Sequence, residues 1–251
     1  MITTIRRWLW RLRGLFFLAP AATALASVCF FVFLVQQVAD RVDFVYGYSF
    51  GQALVSCFGL NWPLLRHGFF WQPFTYMFLH AGWTHLGLNL LTVLLFGSGL
   101  EMEIGGRRFW RVFLTGGVLG GLGWLAVTAA LPHLPPMDAL TQWMPQALRA
   151  WIGAGDTAGR SLDGALCIGA SGGVFALIGA YAALFPRREV YVLLIVFPLR
   201  LKARTLAWLL GILTVVEAVF VQSQVAYAAH LAGGVAGYLC ARRMPEADSA
   251  D

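Results

Sequence analysis

Six apolar runs, each close to the length that crosses a lipid bilayer, limit the folds open to this chain. They cover residues 15–38, 82–100, 109–131, 168–185, 205–221 and 225–241. A helix needs about 20 apolar residues to cross the hydrocarbon core. A mean hydropathy of +0.70 with only 12% charged residues is too apolar for a soluble domain of this length. Backbone groups in lipid must be hydrogen-bonded within their own segment, and the alternation of barrel strands is absent. The sequence therefore predicts an all-α fold, one polytopic membrane domain of six transmembrane helices over residues 1–251.

The lysines and arginines are distributed unevenly between the two sides of these predicted helices. If the N-terminus lies inside, four of the 18 fall on the outer side, namely Arg41, Arg66, Arg149 and Arg160, and the other fourteen fall on the inner side. An excess of basic residues marks the cytoplasmic side of a membrane protein. We therefore expect a cell-membrane protein with cytoplasmic segments at 1–14 and 244–251 around a six-helix core at 15–243. The net charge of +6 fits this asymmetry and attraction to anionic headgroups, so it predicts the lipid bilayer, and no nucleic acid, as a partner.

Few polar or ionisable side chains fall within the predicted helices, and such residues usually mark function. They are His85, Asn89, Ser171, Glu217 and His230. His85 and Asn89 are four residues apart, so they share one face of the second helix. With a rise of about 1.5 Å per residue, His85, Asn89, Ser171 and His230 all lie roughly 5 to 10 Å below the outer surface. Three helices thus bring four polar side chains to one layer, whereas Glu217 lies deeper and has no assigned role.

This layer contains the groups that nucleophilic catalysis requires. A serine hydroxyl becomes a nucleophile when a neighbouring base accepts its proton, and neutral histidine is the usual base near pH 7. Ser171 and His230 form that pair, and the absence of an aspartate at this depth predicts a dyad. His85, Asn89 and the Ser171 backbone N–H are available as donors to the oxyanion of the intermediate. A lone serine or histidine more often has a packing role, but the four residues together favour catalysis.

Glycines flank both members of the pair. Gly169 and Gly172 leave the backbone around Ser171 open to a substrate chain, and Gly233 and Gly237 present a smooth face after His230. Small residues also serve ordinary helix packing, so the glycines do not discriminate between these roles. Hydrolysis needs water, and the fourth run is short enough to begin below the surface, which predicts a hydrated hollow above Ser171.

Two other kinds of intramembrane enzyme would need residues that this sequence does not contain. No HExxH run indicates a zinc protease, and no pair of aspartates lies within the spans. His80, His85 and His230 have no carboxylate or thiolate at matching depth, so we expect no metal and no cofactor.

The motifs resemble those of the rhomboid intramembrane serine proteases. They are Gly169-Ala170-Ser171-Gly172 in the fourth helix, His230-Leu231-Ala232-Gly233-Gly234-Val235-Ala236-Gly237 in the sixth and His85-Leu86-Gly87-Leu88-Asn89 in the second. The resemblance covers about residues 70–243. It implies a serine endopeptidase with Ser171 as nucleophile, His230 as base, and His85 and Asn89 as oxyanion donors. The implied substrates are single-span membrane proteins, cut in or near the transmembrane segment on the outer side.

The sequence departs from the family pattern at two positions. Gln72 stands where some members have an arginine that pairs with the glutamate resembled by Glu101. Phe175 stands where some have tyrosine, and either ring can stack on His230.

The sequence alone leaves the structure or the role of several segments undecided. Residues 39–81 are rich in aromatics, which predicts short helices at the membrane interface. Residues 132–167 have no assigned role, and 191–197 are too short to span, so they form an interfacial or an extended segment. Cys57 and Cys167 share the outer side, but a disulfide between them has little support. A rhomboid-like protein that binds transmembrane helices without cutting them is the alternative function.

Overall fold

The computed structural model of the chain describes residues 18–45, 47–130, 165–194, 197–220 and 227–244. Its helices are α1 (Pro20–Ala39), α2 (Phe50–Phe58), α3 (Trp62–Arg66), α4 (Gln72–Thr75), α5 (Trp83–Ile104), α6 (Gly106–Ala130), α7 (Ser171–Leu184), α8 (Ala203–Phe220) and α9 (Tyr227–Arg242). The strands are β1 (Asp43–Val45), β2 (Tyr48–Ser49), β3 (Glu189–Leu194) and β4 (Phe197–Lys202). A 3₁₀ turn at Tyr76–Phe78 follows α4, and α5 contains a π-helical turn at Val93–Gly97.

A helix lies at each of the six predicted apolar runs, but the helices differ in length. α1, α5 and α6 are long and apolar enough to cross a membrane. α7 has 14 residues, α9 has 16, and the apolar part of α8 is the segment Ala203–Val216. The chain is therefore a mostly helical membrane protein, and the count of six full spans stays a prediction.

The fold is mostly helical, as the prediction of an all-α fold requires, but two short antiparallel hairpins accompany the helices. β1 pairs with β2, and β3 pairs with β4 from Glu189 opposite Lys202 to Leu194 opposite Phe197. Residues 191–197 thus include extended strand, one of the two alternatives left open by the sequence. β-Branched and aromatic residues favour strands, and pairing within a hairpin satisfies backbone groups that a seven-residue helix would leave unbonded.

α6, α7 and α9 form the centre of the helical core, and each of the three packs against the other two. Small residues permit these close approaches. A Cβ added at Gly116 of α6 would overlap the side chain of Ala176, and one at Gly237 of α9 would overlap the Ala176 carbonyl oxygen. Glycine faces let helix backbones pack closely in membranes. α8 also lies against α7 and α9 but leaves many large apolar side chains exposed.

Two buried side chains attach α1 to α5 and to the residues before it. The Glu101 carboxylate of α5 accepts hydrogen bonds from the backbone N–H groups of Ala21 (2.8 Å) and Ala22 (2.7 Å). At the other end of α1, the Gln36 amide accepts from His80 N (3.1 Å) and donates to His80 O (3.2 Å). α1 is therefore held at both ends, and His80 is fixed directly before α5.

The aromatic segment between α1 and α5 contains the short helices α2, α3 and α4, as its composition predicts. Gln72 is fully buried there and bonds to the loop itself. Its side-chain oxygen accepts from Asn61 N (3.2 Å), and its nitrogen donates to the carbonyl oxygens of Ser56 (3.2 Å) and Cys57 (3.3 Å). Gln72 and Glu101 thus have separate partners, and Gln72 holds α4 to α2 and to the start of α3.

Candidate active site

Ser171 is the first residue of α7, and the backbone before it is held away from helical geometry. Leu60 and Cys167 exchange two backbone hydrogen bonds of 2.9 Å, and Gly169 N donates to Tyr76 O at 2.9 Å. Gly169 has a φ of +124°, which side chains with a Cβ rarely adopt. The helix therefore begins at Ser171, and the first backbone N–H groups of α7 have no partner within the helix.

The structure brings Ser171 and His230 into hydrogen-bond contact. His230 lies in the first turn of α9, and its Nε2 is 2.8 Å from Ser171 Oγ. The ring of Phe175 lies one turn along α7 and is stacked on the imidazole, with 4.4 Å between centroids and an interplanar angle of 4°. A hydroxyl at this distance from a neutral imidazole nitrogen can transfer its proton to that nitrogen.

His85 enters the site from α5 and borders Gly169. A Cβ built on Gly169 would lie 2.7 Å from His85 Nε2 and 3.7 Å from Ser171 Oγ. The absent side chain therefore leaves a small space between the imidazole and the hydroxyl. A glycine is required at this position by the close approach of His85 as well as by the backbone conformation.

The hydrogen bonds of His85 indicate which of its nitrogens carries the proton. Ala81 N donates to His85 Nδ1 at 3.3 Å. In a neutral imidazole the accepting nitrogen has no hydrogen, so this contact assigns the proton to Nε2, which faces Gly169. His85 can then act as a donor in the space beside Ser171.

Asn89 lies one turn after His85 and is buried, with 5% of its surface exposed. Its Nδ2 donates to the His85 carbonyl oxygen at 2.8 Å. A carboxamide nitrogen has two hydrogens, so one remains for another acceptor. Among the described contacts, none joins Asn89 directly to Ser171.

The other predicted glycines lie at helix contacts. Gly172 faces the Tyr76 hydroxyl, 3.0 Å from an added Cβ, and a Cβ on Gly233 would overlap the Gly172 carbonyl oxygen. Gly237 meets Ala176 in the same way. These three glycines pack α7 against α9, whereas Gly169 alone borders the space beside Ser171.

Tyr76 contributes to the site although no sequence pattern singled it out. It is almost fully buried, its hydroxyl donates to Gly117 O at 2.6 Å, and its carbonyl oxygen accepts from Gly169 N. It therefore links α6 to the backbone that precedes Ser171. Its signal in the sequence is only that of one more aromatic residue in an aromatic segment.

Three sequence hypotheses have different outcomes. Cys57 and Cys167 are both free thiols, and burial raises the pKa of Cys167 to about 12. The Glu217 side chain lies outside the described residues. So does the segment 132–164, which makes up most of the loop without an assigned role.

Comparison with known proteins supports the resemblance to the rhomboid family. A family model described as the Rhomboid domain matches residues 67–245. The human Rhomboid-related protein 3 is 34% identical over 113 residues, which cover 45% of this chain and 20% of that protein. Rhomboid protein 1, mitochondrial, of Saccharomyces cerevisiae is 29% identical over 121 residues, 48% of this chain and 26% of that protein. Rhomboid-type serine protease 2 of Emericella nidulans is 43% identical over 44 residues, 18% of this chain and 9% of that protein. The chain spans about a quarter or less of the length of these relatives.

Proposed function

This chain belongs to the rhomboid family, and we propose that it is an intramembrane serine endopeptidase. The observation that carries the proposal is the 2.8 Å contact between Ser171 Oγ and His230 Nε2 at the beginning of α7. The relative from Emericella nidulans, whose name describes a serine protease, supports the same class of activity.

The dyad performs both halves of the reaction. Ser171 Oγ attacks the carbonyl carbon of the scissile bond while its proton moves to His230 Nε2. The C–N bond breaks as His230 gives that proton to the departing amine, and an ester on Ser171 remains. Water then attacks the ester, its proton passes to His230 and returns to Oγ, and the carboxyl product leaves. The stacked ring of Phe175 keeps the imidazole in the plane that this exchange requires.

The negative oxygen of the tetrahedral intermediate lies, in this proposal, in the space left by Gly169. Three groups are assigned as its donors: His85 Nε2–H, the free hydrogen of Asn89 Nδ2 and the Ser171 backbone N–H. The Ala81 contact supports the tautomer of His85 that donates, and the start of α7 supports a free backbone N–H. Loss of one such donor lowers kcat about 100- to 1000-fold.

The substrates in this proposal are single-span membrane proteins, cut in or near their transmembrane segment on the outer side of the membrane. Ser171 and His230 both lie at the beginnings of their helices, on the side that the basic residues avoid. A dyad near the end of its helices is within reach of both water and a substrate helix.

Labelling with a fluorophosphonate tests the nucleophile. We expect the purified chain in detergent to be labelled and Ser171→Ala to remain unlabelled, because the probe phosphorylates only an activated serine. Ser56→Ala is the control, since Ser56 is exposed and the side chains of Asn61 and Gln72 bond to its carbonyl oxygen, which the substitution keeps. Equal labelling of Ser171→Ala, or none of the wild type, would support a rhomboid-like protein that binds helices without cutting them.

Cleavage of a model single-span substrate tests the other roles. His230→Ala is expected to abolish cleavage, and Asn89→Ala to lower kcat about 100-fold. Full activity of His230→Ala would show that the base is another group.

A further inference from the structure

A groove of about 560 Å³ lies between α7, α8 and α9. It begins at His230 and extends along α7 and α9 away from Ser171. One end is formed by Phe175 and His230, and the other by Pro186 and Arg204. From Phe175 to Ala182 the groove follows α7 for seven residues, about 10 Å at 1.5 Å per residue. Its volume is within the range of small-molecule sites.

The wall of the groove is apolar and is only partly covered by protein. Trp208 of α8 is 73% exposed, and Val235 and Tyr238 of α9 are 58% and 43% exposed. In a membrane protein, such side chains face hydrocarbon and not water. The chemistry that fits this wall is an acyl chain.

Arg204 provides a charge at the end of the groove away from the dyad. Among the described residues it is the only formally charged side chain that lines the groove, it is exposed, and none of them accepts a hydrogen bond from its guanidinium. Two further cations, Arg187 and Lys202, are exposed nearby in the chain. Basic pockets between transmembrane helices on the cytoplasmic side bind anionic lipid headgroups.

The nearby carboxylates do not neutralise this end. Glu103 forms an ion pair with Arg188, and Glu189 lies opposite Lys202 in the β3–β4 hairpin. The Arg204 backbone N–H donates to Pro186 O at 3.3 Å, which ties the start of α8 to the end of α7. The cationic end and the apolar wall therefore belong to one continuous groove.

We propose that this groove binds one anionic phospholipid of the inner leaflet. The phosphate lies on the Arg204 guanidinium, and one acyl chain follows the groove towards the stacked rings of Phe175 and His230. The lipid occupies the space between α8 and the packed helices α7 and α9. This site does not require the protease activity, because the charge that holds the headgroup, Arg204, lies at the end of the groove away from Phe175 and His230.

Photo-crosslinking with phosphatidylglycerol that carries a diazirine on one acyl chain tests the proposal on the full chain in detergent. We expect crosslinks in the groove segments of α7, α8 and α9, and competition by unlabelled phosphatidylglycerol at concentrations where phosphatidylcholine has little effect. Arg204→Gln should weaken competition about fivefold, because a basic side chain near an anionic headgroup contributes about 1 kcal/mol. Ala207→Phe, which fills the groove, should remove the crosslinks.

Two matched variants separate this site from general contact with lipid. Arg107→Gln removes an exposed basic residue outside the groove, and Ile212→Phe places the same aromatic side chain at an exposed position of α8 outside it. Both should behave like the wild type. The proposal is overturned if phosphatidylcholine competes equally, if crosslinks fall outside the groove, or if Arg107→Gln weakens competition as much as Arg204→Gln.

Discussion

Phe175 contributes to the dyad through its shape. Its ring lies parallel to the His230 imidazole at 4.4 Å, so it restricts rotation of the base. Aromatic pairs of this kind contribute about 0.5 to 1.5 kcal/mol beyond area burial. We therefore expect Phe175→Ala to lower kcat about three- to tenfold, and Phe175→Tyr to retain it, in a substrate cleavage assay. An unchanged kcat for Phe175→Ala would show that the stack does not orient the base.

His80 is buried, and its imidazole is isolated from hydrogen-bond partners among the described residues. It is 2% exposed, its ring lies 5.2 Å from the His85 ring, and neither of its nitrogens has a hydrogen-bond partner among the described residues. Burial, with a smaller contribution from His85, lowers the pKa of His80 to about 4. A structural role next to His85 fits this position better than proton transfer.

This pKa predicts a dependence of stability on pH. Between pH 6.5 and 4 the unfolded chain binds a proton at His80 that the folded chain does not bind, so stability falls as the pH falls through this window. From pH 7 to 5 we expect a loss of about 2 kcal/mol from this residue. His80→Phe, which keeps an aromatic ring without a titrating group, should reduce the loss in unfolding measurements at the two pH values. If the variant loses as much stability as the wild type, His80 is not the titrating group.

The pairing of Ser171 with His230 was accessible from the sequence because depth along a helix follows directly from residue number. The reason that Gly169 must be a glycine was not. It depends on a positive φ and on the approach of His85 from another helix, and neither leaves a mark in local composition. The role of Tyr76 was missed for the same reason, since its two partners are distant in the chain.

Glu101 belongs to α5 and caps the N-terminus of α1. α1 begins with Pro20, and its N-cap residue Ala19 has no side chain able to bond the first N–H groups. The Glu101 carboxylate of α5 supplies both bonds and complements the positive end of the helix dipole.

Substitution of Glu101 should therefore cost stability rather than catalysis. Glu101→Gln keeps the shape but loses the charge and one of the two acceptors, so we expect a loss of about 1.5 to 3 kcal/mol. Glu103→Gln is the matched control, since Glu103 pairs with Arg188 at the surface and such pairs contribute about 0 to 1 kcal/mol. Thermal unfolding of both variants provides the measurement, and equal stabilities would contradict the capping role.

The helix elements were predictable within a few residues, and the strands were not. Runs of apolar residues identified α1 and α5 to α9, because burial in lipid requires length and apolarity together. The β3–β4 hairpin depends on pairing between two short segments, which a seven-residue pattern does not specify. The hydrogen bonds of Gln72 to Asn61, Ser56 and Cys57 also depend on tertiary contacts.

The glycines of α9 provide a prediction about helix packing. A Cβ on Gly237 would overlap the backbone of Ala176, whereas one on Gly211 of α8 would meet no atom within 4 Å. Gly237→Ala should thus force α9 away from α7, with a loss of about 1 to 3 kcal/mol from overpacking and reduced cleavage. Gly211→Ala should be neutral or stabilising by up to about 1 kcal/mol. Each of the two variants adds one methyl group to a helical glycine. Similar unfolding temperatures of the two would therefore contradict the packing argument.

At the scale of the whole molecule, the basic residues and the position of the dyad lead to one orientation. The N-terminal ends of α7 and α9 carry Ser171 and His230, and the opposite ends of these helices lie next to Arg187 and Arg242. The positive-inside rule then predicts that the dyad faces outwards. This step could be argued from the sequence, because the rule acts on charges near helix ends and not on the packing between helices.

Native cysteines allow this orientation to be measured without added labels. Cys57 of α2 and Cys240 of α9 are half-buried, while Cys29 and Cys167 are buried and should react slowly. If the dyad faces outwards, a membrane-impermeant maleimide applied to intact cells should label Cys57, and Cys240 should react only after the membrane is permeabilised. Cys57→Ser and Cys240→Ser identify which thiol accounts for each signal. Labelling of Cys240 in intact cells would reverse the orientation, and the cleavage site in the substrate would then lie on the cytoplasmic side even if the Ser171–His230 chemistry were unchanged.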